Sequence, residues 1–249
     1  MVGLNSVMNI EVSSLCDNNC PYCPAQKQKE HRAVGIMTMD TFTKAVSVVD
    51  YCVKKGTQTE VNMYGIGEPT LNWNLVEMAR IVREHLPPRL LLRLNTNGNH
   101  MTEELALGLK KSGIGTVDVT GHDPRPTANA IRILQHHGIF GQLSRDFITG
   151  PNNWAGQVDW FEPEYERTPY EECPWLKKGQ VMIMWDGKIT TCCMDAFGQG
   201  IIGTVDSDLS KIEMREYKLC NTCHHKLSYL RPLPDGMILN TKTMSAFRW

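Results

Sequence analysis

Eight residues near the start of the chain, Cys16-Asp-Asn-Asn-Cys20-Pro-Tyr-Cys23, constrain the fold more than any other stretch. Three cysteines so close together cannot form a disulfide framework, because three is odd and the loops between them are too short. Turned inward from one tight loop, their thiolates suit a single compact inorganic core. A cubane iron–sulfur cluster normally takes four protein thiolates, so three leave one iron open to a small molecule. A zinc site completed by a distant fourth ligand is the alternative, although structural zinc sites more often pair cysteines two or four apart. The apolar-alternating run Met8-Asn-Ile-Glu-Val-Ser13 reads as the strand that delivers the loop.

Composition narrows the setting. A chain of 249 residues, 41% hydrophobic and 21% charged, suits one large domain or a main domain with an appendage. A formal net charge of −1 supplies no global basic field for nucleic acid or an anionic membrane. No apolar run approaches the roughly 20 residues of a membrane span, and no basic segment with an apolar core opens the chain. A cytoplasmic protein is expected. There, nine cysteines read as metal ligands rather than disulfides.

Further along, strands and helices alternate. Asp40 to Lys55 has helical spacing, with Phe42, Ala45, Val48, Val49 and Cys52 on one side. Cys52 there reads as a small core residue. Strands are expected at Glu60–Tyr64, Leu90–Asn95, Thr116–Thr120 and Phe140–Leu143, and helices at Trp73–His85, from Thr102 to Lys111, and at Pro126–His137. Pro24 to Arg32, polar and without period, reads as an exposed loop. Such βα alternation implies a parallel sheet, whose ligands bind at the carboxyl ends of the strands. The cysteine loop, Gly65-Ile-Gly67-Glu68-Pro69, Thr96-Asn97-Gly98 and Gly121-His122-Asp123 all follow strand ends. A carboxylate behind two glycines suits an ammonium group, while a plain turn with a solvated glutamate explains the same residues.

Past residue 149 the character changes to a stretch rich in Pro, Gly, Asn, Trp and acidic residues, then to a second cysteine set. Cys173 precedes a strand at Gln180–Trp185, Asp186-Gly187 signals a hairpin, and Lys188–Thr191 returns into Cys192-Cys193. A knuckle, Cys220-Asn-Thr-Cys223, completes a four-thiolate site of Cys173, Cys192, Cys220 and Cys223. Strand alternation would turn Cys193 to the opposite side. Spacing alone fits structural zinc as well as an iron–sulfur cluster. His224 and His225 read as surface residues, and the tail beyond them carries no motif.

Cys-x3-Cys-x2-Cys, with Tyr22 before its last cysteine, resembles the motif of the radical S-adenosylmethionine (SAM) enzymes. Gly67-Glu68-Pro69 resembles the end of that family's Gly-Gly-Glu-Pro motif, with one departure at Ile66, and Thr96-Asn97-Gly98 resembles its third-strand terminus. The resemblance implies a [4Fe-4S] cluster on Cys16, Cys20 and Cys23. It also implies SAM held by Tyr22, Gly67, Glu68, Thr96, Asn97 and His122, with Glu68 on the ammonium group. The implied fold is α/β: a partial (β/α) barrel of about five to six parallel strands over residues 1–149. Asp186-Gly187-x4-Cys192, Gly203 and Cys220-x2-Cys223 resemble the SPASM domain, and better its shortened twitch form, over residues 150–226, with a tail at 227–249. That likeness implies a second [4Fe-4S] cluster on Cys173, Cys192, Cys220 and Cys223.

In the family, one electron from a reductant such as flavodoxin or ferredoxin cleaves SAM to a 5′-deoxyadenosyl radical, which abstracts a substrate hydrogen atom. Two clusters imply a radical oxidase of an alcohol or amino alcohol in a small metabolite. Competing readings are epimerisation, cross-linking or rearrangement of a peptide, nucleotide or other metabolite, and a zinc-stabilised binding protein without catalysis.

Overall fold

The computed structural model describes residues 2–144, 154–159, 167–169, 173–223, 227–232 and 238–240. The boundary expected at 149/150 falls outside them, as do His224 and His225. From the start of the chain, β1 (Ser6–Ile10), α1 (Met39–Lys54), β2 (Glu60–Asn62), α2 (Leu75–His85), β3 (Leu91–Thr96), α3 (Glu103–Lys111), β4 (Thr116–Thr120), α4 (Pro124–His136) and β5 (Phe140–Ser144) alternate as the pattern predicts. Thr38 and Thr102 cap α1 and α3 by accepting from Thr41 N and Leu105 N.

Strands β2, β3, β4 and β5 are hydrogen-bonded in that order, all parallel. Val61, Leu92, Leu94, Val117 and Val119 point to the side covered by Val49, Met78, Leu109 and Leu134 of the helices, forming one apolar core. Cys52 lies fully buried in it, as its place on α1 predicts.

At β1 the ladder is interrupted. Gln58 instead exchanges two bonds with Val7, N to Oε1 and Nε2 to O, each 2.8 Å. Asn62 Nδ2 donates to Met8 O at 2.7 Å. Two buried side-chain amides thus satisfy backbone groups that a strand partner would otherwise take.

The other edge of β1 holds β7 (Gln180–Ile183), paired in parallel from Ser6↔Gln180 to Ile10↔Ile183. β6 (Arg167–Pro169) and α5 (Pro174–Lys178) precede it. β8 (Lys188–Thr190) and β9 (Ile201–Thr204) follow it antiparallel, giving the order β1-β7-β8-β9. Asp186-Gly187 makes the β7–β8 turn, with Gly187 at φ 82°. The cysteine-bearing hairpin is therefore tied directly to the strand that delivers the first cysteine loop. In the tail, β10 (Leu227–Pro232) pairs antiparallel with β6 and with β11 (Ile238–Asn240).

Among the described residues, no helix is long and apolar enough to cross a membrane.

Candidate active site

Irregular backbone carrying three thiols must find partners for its own polar groups. The polar run after Cys23 supplies them. Pro24–Glu30 is a 3₁₀ helix, not the exposed loop expected, and Gln28 within it is wholly buried. Gln26 Nε2 donates to Cys16 O and Asn18 O at 3.0 and 2.7 Å, and Gln28 Nε2 to Ser14 O at 3.0 Å. Asp17 is held by Asn97 Nδ2 at 2.8 Å, Asn99 Nδ2 at 2.7 Å and His100 Nε2 at 3.1 Å. Burial works against its carboxylate, yet these amides and the histidine keep it below the usual range. Burial above all pushes the thiols of Cys16 and Cys23 up to about 11 and about 12.

The Gly65–Pro69 loop lies directly on this cysteine loop. A Cβ at Gly67 would sit 2.5–2.6 Å from Ser14 C, Leu15 O and Ser13 O, and Glu68 N donates to Leu15 O at 2.7 Å. At Gly65 a Cβ would sit 2.6 Å from Glu11 Cβ. Glycine is thus required on both sides of Ile66.

Glu68 is 3% exposed and far from a solvated turn residue. Its Oε1 accepts from Thr70 N, Thr70 Oγ1 and Thr96 Oγ1 at 3.0, 2.6 and 2.7 Å, and its Oε2 from Asn97 N at 2.7 Å. Burial raises its pKa against these donors. One lone pair on Oε2 remains for a further donor. Past β4, His122 closes the ring: its Nδ1 lies 2.7 Å from Tyr22 Oη and 3.6 Å from Cys20 Sγ, and the two rings stack with centroids 5.8 Å apart. The strand ends thus bring Tyr22, Gly67, Glu68, Thr96, Asn97 and His122 around one cysteine loop.

A family model of the radical SAM superfamily matches residues 10–152, more than half of the chain. The chain belongs to that superfamily. In sequence it is similar to the S-adenosyl-L-methionine-dependent 2-deoxy-scyllo-inosamine dehydrogenase of Niallia circulans, 30% identical over 121 residues. That match covers 48% of this chain and spans about half of the relative, 46% of its length. In structure it is similar to BtrN in complex with AdoMet and 2-DOIA, with a TM-score of 0.66 at 21% identity over 91% of this chain and 89% of that one. BtrN in an open conformation gives 0.59 at 19% identity, over 91% and 87%. At these identities the structural likeness speaks for the fold alone.

Beyond this radical SAM core, Cys173, Cys192, Cys220 and Cys223 line one pocket, walled by Trp175, Leu176, Tyr217 and Leu219. Two buried hydroxyls on the wall, Thr191 Oγ1 and Tyr217 Oη, have no partner among the described residues. Burial foremost raises the Tyr217 phenol and the Cys220 thiol. Four thiols with unsatisfied donors beside them fit a group whose sulfur atoms accept hydrogen bonds.

Of the two adjacent cysteines, Cys192 lines that pocket, and Cys193 packs against the apolar cluster of Met182 and Met184. β8 ends at Thr190, before both residues, so strand alternation does not reach them. The neighbouring Cys193 thiol, with burial next, raises the Cys192 thiol. Cys193 also feels the charges of Cys223 and Cys173.

One buried ion pair, absent from the sequence expectations, joins the two cysteine regions. Arg32 grips both oxygens of Glu11, at 2.9 and 2.8 Å; Glu11 is fully buried. The Glu11 carboxylate also accepts from Ile66 N and Trp185 N, both at 3.3 Å. Arg32 Nε reaches Ala196 O at 2.7 Å, and its Nη2 reaches Gln28 Oε1. The sequence signal was a single charge inside the apolar run of β1 and the residues after it.

Proposed function

We propose that this radical SAM enzyme is a two-cluster dehydrogenase that oxidises an alcohol carbon of a small hydroxyl- and amine-bearing metabolite. Its core reads as the family's partial barrel, with residues 150–226 as a twitch-type appendage. Cys16, Cys20 and Cys23 would hold a [4Fe-4S] cluster, and Cys173, Cys192, Cys220 and Cys223 a second one. When bound, these groups and SAM supply one-electron cleavage to a 5′-deoxyadenosyl radical and a one-electron acceptor. Glu68 would take the cofactor's ammonium group on the free lone pair of Oε2, while its other contacts fix the loop to β3. Gly67 lets the backbone close over the site, and Tyr22, Thr96, Asn97 and His122 shape the cofactor's surroundings.

Overall the substrate loses a hydrogen atom, a proton and an electron, so an alcohol becomes a carbonyl. The chain's part is to hold the carbon in place and exclude water and competing donors. A one-electron donor such as flavodoxin or ferredoxin starts each cycle. The observation that carries the reading is the separation of the thiols into a group of three and a group of four. The relative's name, a dehydrogenase of an aminocyclitol, supports the substrate class.

The deciding experiment is anaerobic turnover in deuterated water with a pool of amino alcohols and polyols. A product about two mass units lighter is expected. A product of the substrate's own hydrogen count with deuterium at one carbon would mean epimerisation and overturn the oxidase reading.

A further inference from the structure

The side of the β2–β5 sheet away from the helices carries charge. Glu60, Arg93, Asn95, Asp118, Thr120 and Gln142 occupy the alternate positions there, whereas Leu92, Leu94, Val117 and Val119 on the other side are fully buried. Arg93 Nη2 donates to Asp118 Oδ2 at 2.8 Å, and Nη1 lies 3.6 Å from Glu60 Oε2. Gln142 Nε2 donates to Asp118 Oδ1, and Thr120 Oγ1 to Asn95 Oδ1 at 2.8 Å. Two buried atoms, Arg93 Nε and Asn62 Oδ1, have no partner among the described residues. A cluster of charged and polar side chains on one face of a sheet is a candidate for ligand binding.

Strands of this polar cup lead to the first cysteine loop. β4 leads from Asp118 and Thr120 to His122 at the first cysteine loop. β2 leads through Tyr64 into the Gly65–Pro69 loop. The Tyr64 phenol, pushed up to about 12 chiefly by burial, also feels the charges of Arg93, Glu60, Asp118 and Cys193. Two carboxylates against one guanidinium leave one negative charge in excess. Asp118 uses two of about four lone-pair sites, so it can accept further donors.

We infer that the cup seats the substrate, with Asp118 and Glu60 receiving an ammonium group and Asn95, Thr120 and Gln142 its hydroxyls. The substrate is then an amine-bearing polyol rather than a neutral or anionic one. This rests on the oxidase reading above and assigns residues to it.

Two probes differing only by ammonium for hydroxyl, scyllo-inosamine and scyllo-inositol, test it by calorimetry on the anaerobic full-length protein loaded with SAM. The wild type is expected to prefer the amine at least about tenfold, on the scale of a charge-assisted hydrogen bond. Asp118→Asn, with SAM affinity as the folding control, should bring that preference close to unity. Should Asp118→Asn fail to fold, Glu60→Gln, at a half-exposed side chain, should lower the preference severalfold. Equal affinity for both probes in the wild type, binding of neither, or an undiminished preference in the folded variants overturns the assignment. Failure of the oxidase reading shows separately: the amine preference stands, while iron is about four rather than about eight per chain or the bound amine is returned at unchanged mass.

Discussion

The two cysteine regions are built by opposite means. Cys16, Cys20 and Cys23 come from one loop, fixed by the amides of Gln26, Gln28, Asn97 and Asn99 and seated against Gly67. Cys173, Cys192, Cys220 and Cys223 come from three separate segments and meet in an apolar-walled pocket. In the first, sequence proximity already pays most of the entropy of gathering the thiols. In the second, the sheet does the gathering: β7 must pair with β1, and β8 with β7, before Cys192 reaches Cys173. The Glu11–Arg32 pair touches both regions, so they are expected to fail separately at the thiols and together at that pair.

The largest effect is expected at the first loop. Replacing Cys16, Cys20 and Cys23 with alanine should remove about four iron per chain and all SAM cleavage. Cleavage persisting in that variant would falsify the assignment of this loop as the cleavage site.

Replacing Cys220 and Cys223 with alanine should also remove about half of the iron, with a different consequence. SAM cleavage without substrate should survive, and formation of the oxidised product should not. Equal loss of both activities would mean that the two regions are not independent.

Arg32→Met leaves the fully buried Glu11 carboxylate without its partner. A loss of about 3–5 kcal/mol is expected, visible as a lower denaturation midpoint. The joint replacement of Glu11 and Arg32 by apolar residues should recover most of it. A double variant as unstable as the single one would show that shape, not charge, sets the junction.

Glu68→Gln keeps the volume and the acceptor but removes the charge. SAM affinity should fall by about 1.5–3 kcal/mol by calorimetry while iron content holds. Unchanged affinity would leave Glu68 as a staple between loop and strand only.

The smallest effect is expected at Cys193. Cys193→Ser should keep its iron, whereas Cys192→Ser should lose that of the second region. The reverse result would exchange their roles, a choice that two neighbouring thiols leave sensitive to small shifts.

The sequence by itself determined the parts governed by short range. The βα alternation, the cap at Thr102, the cysteine loop and the strand-end motifs were all legible, because periodicity, capping and turn chemistry act over a few residues. The four-cysteine set was legible only as a list of residues. Tertiary structure alone decided that β7 lies beside β1, that Gln26 and Gln28 in the polar run at Pro24–Glu30 tie down the cysteine loop, and that Glu68 is buried against Thr70, Thr96 and Asn97. It also decided that Glu11 and Arg32 form one junction and that Cys192 joins Cys173, Cys220 and Cys223 around one pocket. Each of these depends on which groups meet after distant segments pack, where desolvation makes every buried polar atom seek a partner that local sequence does not name.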